Sequence, residues 1–571
     1  MQNSAARPPR RSWDPELSCA LVIGPALWIL VALKQGYDFD WDVLNYHFYN
    51  GFALLHGKVF SNVQPSMMQA YFPPLMDTAF YILVRLLPPS GVLMTIAAFQ
   101  GLAFPLLFAL SRCVLRACLP RGIALSALAW LLALLGAAAP INIWEAGGAL
   151  GDTASAVPVL AALLLMIDAL AGDGGLPGPR RFALIGLLAG LAAGLKLTNL
   201  AYALAFLSCL MLVAPRPADM WRQPGWLIGT GACLAGMAAG FMLCYGWWGI
   251  VLYLHVGNPV FPNFNQLFRS PFGAVSSYSD AAFALPGIVT KLVFPFLRTS
   301  ISGRLDPAGL FDLRMAFMLP LGCAGLLASC FGSARRRKGQ DAGLALMLFA
   351  LVSYVAWLLV FPVNRYLVGV DMIAPLACVS AAHAIWHARR AAWAAACVLA
   401  VALPASASMA WPLFWLPGDH RHGDENGYFG VSFSPPPGLS GGVVAMLGGW
   451  PTTFVIPFFP RDTVFVRLQG SLYYAYPAFN ALGAASTPAE RRAVFGNATG
   501  DAVCQRLAAN RSGLFLLRPG EETGQDIAAM SYFGLEPDGR ACTPIASKYN
   551  RNITLCPARR LSHPECSNRP S

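Results

Sequence analysis

Apolar runs of about 20 residues recur along the first two thirds of the chain, from Cys19 to Trp411, with short polar or basic stretches between them. Each is near the roughly 20 residues that cross a bilayer as a helix. Only helices or closed barrels satisfy their backbone groups in lipid, and these runs lack the alternation of barrel strands. The pattern predicts an all-α polytopic membrane protein. Crossings are predicted over about 18–34, 92–110, 122–139, 154–171, 182–195, 199–214, 225–249, 313–332, 342–362, 367–386 and 391–412, about eleven in all. The run 75–87 is short, ends at Pro88-Pro89 and reads as an interfacial helix. From about residue 413 the pattern changes. A Gly/Pro-rich linker leads into β-rich runs, "TTFVIPFF", "TVFVRL", "GLFLL" and "NITLC", with helical stretches such as "TPAERRAVF" between them. Strands alternating with helices predict a small α/β domain over 413–571.

Charge orients this pattern. Arg7, Arg10 and Arg11 precede the first crossing, and Arg112/Arg116/Arg121, Arg180/Arg181, Arg216/Arg222, Arg335 to Lys338 and Arg389/Arg390 fall between apolar runs. The positive-inside rule then places segment 1–17 in the cytoplasm. Within the membrane domain, 18–412, it places the loops 35–91, 140–153 and 250–312 outside. The 413–571 domain follows them, on the periplasmic side of a bacterial inner membrane. The net charge of +12 is accounted for by topology and does not call for nucleic acid. The first run has a basic start but no small-residue cleavage site before "KQGYDFD", so it reads as an anchor, not a cleaved signal. Of the 14 cysteines, four (Cys504, Cys542, Cys556 and Cys566) lie in the polar tail, where an oxidising compartment allows disulfides, and Cys542 and Cys556 flank a strand pair.

The candidate chemistry lies in the outer loops. "YDFDWDVLNYHFYNG" places Asp38, Asp40 and Asp42 at alternate positions directly after the first crossing. Glu145 and Asp152 follow the third crossing, Lys196 the fifth and Arg365 the ninth, and Arg269 lies in the long loop. Ionisable groups near membrane depth are costly and point to function. Each also has a plainer explanation: a solvated loop acid for Asp38, a helix cap for Asp152, a snorkelling side chain for Lys196, a headgroup anchor for Arg365. Carboxylates take a proton from a hydroxyl or orient it. Lys and Arg hold phosphate, Arg through its planar fork. One substrate class needs both at a lipid–water boundary, a sugar joined through phosphate to a polyprenyl lipid. On this reading Asp42 or Asp40 is the base, with Asp152 a further catalytic acid. Lys196, Arg365 and Arg269 hold the donor phosphate, and Asp38, Tyr46, His47 and Glu145 line the sugar and acceptor site. Direct displacement predicts inversion at the anomeric carbon. No metal site is assigned; a divalent cation held by carboxylate oxygens is the alternative to neutralisation by Lys and Arg.

Several of these stretches resemble the GT-C glycosyltransferases, integral membrane enzymes that use polyprenyl-phosphate sugars. "DVLNYHFYNGFALLHGKVF" is similar to their first-loop acidic motif, and "YFPPLMDTAFYIL" to the Pro-Pro-Leu that follows it. "WEAGGALGDTASAVPVLAALLL" resembles their second acidic loop, "GLAAGLKLTNLAYAL" the turn with its Lys, and "NRYL" a late Arg-Tyr pair. The resemblance covers about residues 15–412 and is nearest to bacterial family 87-like or dolichyl-phosphate-mannose-transferase-like members. It implies Asp42 as the catalytic acid, Asp152 as the second acid, and Lys196 and Arg365 as lipid-phosphate contacts. The first loop departs from the commoner Asp-Glu or Asp-Asp doublet, which leaves Asp40 and Asp42 both open as the base. The rival reading is a transporter or flippase of a lipid-linked glycan. Its ionisable groups would spread along a path through the membrane, whereas these crowd at one face.

Overall fold

The computed structural model describes residues 14–567 except 117–118, 120–121, 172–177, 213–223, 277, 279–284, 286, 306–312, 332–339, 408–426 and 550–551. The basic clusters at 216/222 and 335–338 and the linker up to residue 426 lie outside the described residues.

The first helix, α1 (Pro15–Gln35), begins where Asp14 accepts the backbone N–H groups of Glu16 and Leu17, with Pro15 in the first turn. Then follow α2 (Phe48–Leu55), α3 (Leu75–Leu86), α4 (Pro89–Gln100), α5 (Ala103–Leu115), α6 (Ile123–Ala137), α7 (Pro140–Trp144), α8 (Asp152–Ala171), α9 (Pro179–Leu195) and α10 (Leu200–Leu212). The bundle continues with α11 (Pro224–Phe241), α12 (Trp247–Val256), α13 (Asn265–Phe268), α14 (Gly287–Leu305), α15 (Arg314–Phe331), α16 (Gln340–Val360), α17 (Val368–Trp386) and α18 (Arg389–Ala407). Among the described residues, six helical stretches are long and apolar enough to cross a membrane: Pro15–Gln35, Pro89–Leu115, Asp152–Ala171, Gly225–Val256, Ala342–Val360 and Asn364–Trp386. Shorter apolar helices stand beside them. This is the architecture of a multi-pass helical membrane protein.

Two expectations need correction. The stretch 250–312, read as a loop, contains α14, and the crossing expected to end near 249 runs on to Val256 through a wide turn at Met242–Gly246. The run "TTFVIPFF" is a helical turn, Thr453–Phe458. Pro457 inside it has no N–H to give a strand ladder.

Small residues bring two helices into close contact. A Cβ on Gly186 or Gly190 of α9 would run into the carbonyls of Cys233 and Met237. One on Gly236 or Gly240 of α11 would meet the carbonyls of Ala183 and Leu187. This small-xxx-small packing lets backbones touch where lipid supplies no hydrophobic drive. The two ends of the bundle differ. At one end Arg112 pairs with Asp14 (2.6 Å) and Arg181 with Asp168 (2.6 Å), both partly exposed. The opposite end carries the C-terminus of α1, the N-terminus of α8, the C-terminus of α9 and the turn between α16 and α17. It bears the candidate site.

The C-terminal domain is a mixed sheet with flanking helices. Its strands are β1 (Val443–Met446), β2 (Val464–Arg467), β3 (Leu514–Arg518), β4 (Leu535–Pro537), β5 (Thr543–Ile545) and β6 (Ile553–Arg560). The order is β2-β1-β3-β6-β4, with β5 also on β6; β2, β1 and β3 are parallel and β6 is antiparallel to β3. The helices α19 (Pro488–Phe495), α20 (Ala498–Ala509) and α21 (Gly524–Phe533) complete it. Disulfides join Cys504 to Cys566 and Cys542 to Cys556, the latter the pair suggested by its place around a strand pair.

This domain is not a loose appendage. The loop after α2 adds an edge to its sheet: Val63 N–H donates to the Phe465 carbonyl (2.9 Å), and Arg467 N–H donates to the Val63 carbonyl (3.0 Å). Arg467 is fully buried and donates to the carbonyls of Pro65 (2.5 Å) and Gly448 (2.6 Å) and to the Thr452 hydroxyl (3.1 Å). Aromatic contacts continue the seam, with Phe48 on Phe429, Tyr37 on Tyr428 and Phe39 on Tyr549. One hydrophobic core runs from the helix bundle into the domain.

Candidate active site

The three alternate aspartates are not equivalent. Asp38 Oδ1 accepts the N–H of Asp40 (2.9 Å), and Asp40 Oδ1 accepts the N–H of Asp42 (2.9 Å). Two successive Asx turns therefore bend the chain from the end of α1 into the next helix. The alternation is the spacing such turns need. Asp38 also ties this loop to the second acidic loop, because its Oδ2 accepts the N–H of Ala149 (3.1 Å). Gly148 allows that approach: a Cβ there would sit 2.7 Å from Asp38 Oδ2. After Asp42 the helix opens into a wide π turn over Val43–His47 before α2, a local feature frequent at functional sites.

Across the sequence, Asp42 meets Arg365 from the turn between α16 and α17. Arg365 Nη2 donates to Asp42 Oδ2 at 2.5 Å, over a separation of 323 residues. Arg365 Nε is also 3.5 Å from Asp152 Oδ2, and Lys196 Nζ is 2.5 Å from Asp152 Oδ1. Lys196 donates further to the Leu150 carbonyl (2.9 Å). Both cations lie over the Tyr366 ring, 5.4 Å and 5.5 Å from its centroid. Asp152 is almost fully enclosed and Arg365 is 14% exposed. Ion pairs this enclosed depend on their geometry, since removal of one partner leaves a buried charge.

Glu145 serves the same loop differently. Its Oε2 accepts the N–H of Thr153 (2.7 Å), closing the N-terminus of α8. Gln100, fully buried, donates to the Glu145 and Gly148 carbonyls and accepts from Gly147 N–H. Burial, then the neighbouring Asp152 carboxylate, pushes the Glu145 carboxyl well above its ordinary range. Burial likewise raises Asp38. Burial would raise Asp42 too, but Arg365, with His47 and Lys196, outweighs it and holds Asp42 below its usual value. Asp40 is half-buried and carries none of the ion pairs; burial, then the carboxylates of Asp42 and Asp38, raise it to about 7. The arrangement thus holds two fixed cations against ionised Asp42, beside a carboxyl poised to change charge near neutrality.

His47 and Tyr46 lie behind these acids, and their rings pack 4.1 Å apart. His47 Nδ1 is 2.6 Å from Asp77 Oδ1, and Asn50 donates to Asp77 Oδ2 (3.0 Å). His47 Nε2 is buried and has no hydrogen-bond partner among the described residues. Asp77, on α3, was not singled out in the sequence; the signal was an acid within an otherwise apolar amphipathic run. Gln100 carried a weaker signal of the same kind. Arg269 stands apart. It is exposed at the end of α13 and makes none of the site's ion pairs. Among the described residues no three His, Cys, Asp or Glu side chains converge as metal ligands; the positive charge between Asp42 and Asp152 is that of Arg365 and Lys196.

No protein-family model and no curated protein matches the chain. Among solved structures, the chain is similar to the crystal structure of ArnT from Cupriavidus metallidurans bound to undecaprenyl phosphate. The identity is 13%, over 96% of this chain and 98% of that one, with a TM-score of 0.41. A likeness at that level decides nothing about the chemistry of this chain.

Proposed function

We propose that the protein is a glycosyltransferase moving a sugar from a polyprenyl-phosphate donor to an acceptor hydroxyl, on the periplasmic face of a bacterial inner membrane, in cell-envelope glycan or glycolipid assembly. The observation that carries this is the meeting of Asp42, Arg365, Asp152 and Lys196, from four separate helix ends, at one end of an apolar bundle. On this reading the donor lipid reaches that end from the bilayer and the acceptor reaches it from the water outside.

Each group then has a task. The donor phosphate competes with Asp42 for Arg365 and draws on Lys196, so both cations face the oxygen on which charge develops. The acceptor hydroxyl gives its proton to Asp40 as its oxygen bonds to the anomeric carbon. The bond from that carbon to the phosphate oxygen breaks, and the phosphate leaves as an anion without needing a proton. Attack opposite the leaving group inverts the configuration. Asp40 is assigned as base because it is ionisable near pH 7 and, unlike Asp42, is not ion-paired with Arg365. Asp42 keeps Arg365 in place. A second reading makes Asp42 the base once phosphate has taken Arg365 from it. The shared use of Arg365 by Asp42 and Asp152 favours it. Asp38 and Glu145 are builders of the two loops, and His47 and Tyr46 line the sugar side. Arg269, exposed, is left to contact headgroups.

Membrane vesicles supplied with radiolabelled polyprenyl-phosphate sugars and candidate acceptors test this. Transfer lost in Asp40→Asn and in Arg365→Ala, at unchanged protein level, supports the enzyme. Full transfer in Asp40→Asn with loss in Asp42→Asn moves the base to Asp42. Full transfer in every one of these variants removes the proposal.

A further inference from the structure

The C-terminal domain holds a cleft of about 420 Å³ that the chemistry above does not use. It lies at the carboxyl ends of two parallel strands, between the loop after β1 (Gly448, Gly449, Trp450) and the loop after β3 (Gly520, Glu521), and Trp41 closes its other side. The strand order explains the position. β1 lies between β2 and β3, so the chain leaves β1 toward one side of the sheet and later returns on the other. Loops at such a switch point diverge and leave a crevice where α/β sheets bind ligands.

The lining indicates the kind of occupant. Trp450 is 65% exposed and Trp41 37%, an unusual exposure for two indoles bordering one cleft. Glu521 is exposed there too. Asp526 sets the shape: its Oδ1 accepts Gly448 N–H (2.6 Å) and Gln469 Nε2 (3.0 Å), and its Oδ2 accepts the Thr523 N–H and hydroxyl (2.9 and 2.7 Å). It therefore locks the two loops together and has no oxygen to spare. An anion is disfavoured, because the N-terminus of α21 is closed by its own capping box and two carboxylates stand at the cleft. Aromatic faces with a hydrogen-bond-accepting carboxylate suit a neutral polyhydroxylated ring.

Trp41 also fixes where the cleft leads, since it is the residue between Asp40 and Asp42. We propose that this cleft is a carbohydrate-binding subsite. In it Trp41 and Trp450 stack on sugar rings and Glu521 accepts their hydroxyl hydrogen bonds, so that a neutral glycan acceptor is led to the base. Its role as the acceptor arm rests on the transferase reading; its binding of sugar does not.

Full-length protein in nanodiscs is tested by saturation-transfer NMR against neutral hexasaccharides of glucose, mannose, galactose and arabinose. At least one is expected to bind, with about tenfold weaker affinity in Trp450→Ala and Glu521→Ala and unchanged affinity in Asp40→Asn. In the transfer assay Trp450→Ala is expected to raise the acceptor KM about tenfold, with kcat and the donor KM unchanged. Trp450 is exposed, so its truncation spares the core. Absence of binding by all four hexasaccharides, or equal binding by wild type and Trp450→Ala, overturns the cleft. Binding with no transfer by the wild type removes the transferase and keeps the cleft.

Discussion

Asp38→Asn tests the electrostatics of the site, because it removes a charge beside the proposed base and keeps the base itself. Asp40 titrates at about 7, from burial first and then from the carboxylates of Asp42 and Asp38. Its charged form is the active one, so activity falls as pH drops through that value. About half the groups are ionised at pH 7 and about one in a hundred at pH 5, so kcat/KM should fall roughly fiftyfold between them. A sugar phosphodiester stays singly charged across this range, so the limb belongs to the protein. In Asp38→Asn one of the two repelling carboxylates is gone, while the amide oxygen can still receive the N–H of Asp40. The limb should move toward acid, raising activity at pH 5 relative to wild type. Burial and Asp42 remain, so the limb stays above an ordinary aspartate. The assay is initial transfer rate against acceptor concentration in reconstituted vesicles from pH 4.5 to 9. A flat profile between pH 5 and 8, or an identical limb in both proteins, refutes the assignment.

Other perturbations read other parts of the molecule. Arg365→Ala uncovers Asp42 and Asp152 together, and is expected to lower transfer by more than about a hundredfold and cost about 3 kcal/mol of stability, read in detergent melts. Arg365→Lys keeps charge but loses the fork, so it should recover stability more than rate. Arg467→Met removes three hydrogen bonds joining the first loop, β1 and β2. It should cost about 3 kcal/mol and speed proteolysis of the C-terminal domain before that of the bundle. Gly190→Leu should force α9 from α11 and displace Lys196 at the end of α9, so transfer falls although the substitution lies outside the site.

Much of the site was legible because polar residues in apolar surroundings are conspicuous. Lys196 after α9 and Arg365 after α16 stand out from their runs, and the resemblance placed them with Asp42 and Asp152. The four lie in ion pairs of 2.5–3.5 Å, the geometry on which the proposed site rests. Arg269 was grouped with them on charge alone, and a loop charge carries no information about direction. Asp77 carries little signal in the sequence, because an amphipathic helix tolerates an acid on its polar face and only packing turns that face toward His47. Of the β-rich runs, "TVFVRL", "GLFLL" and "NITLC" are β2, β3 and β6 in whole or part, whereas β1, β4 and β5 fall in none of them and the proline-containing run is a helical turn.

The sequence by itself determined that the chain is a bundle of apolar helices with a small α/β domain, and that its scarce charges gather at helix ends. Apolar run length and helix periodicity are local properties, written residue by residue. Tertiary structure alone decided which charges meet, that Asp42 rather than Asp40 is ion-paired with Arg365, and that the C-terminal domain is sewn into the first loop through Val63 and Arg467. Those outcomes depend on contacts between residues hundreds of positions apart, and on burial, which no single stretch of chain specifies.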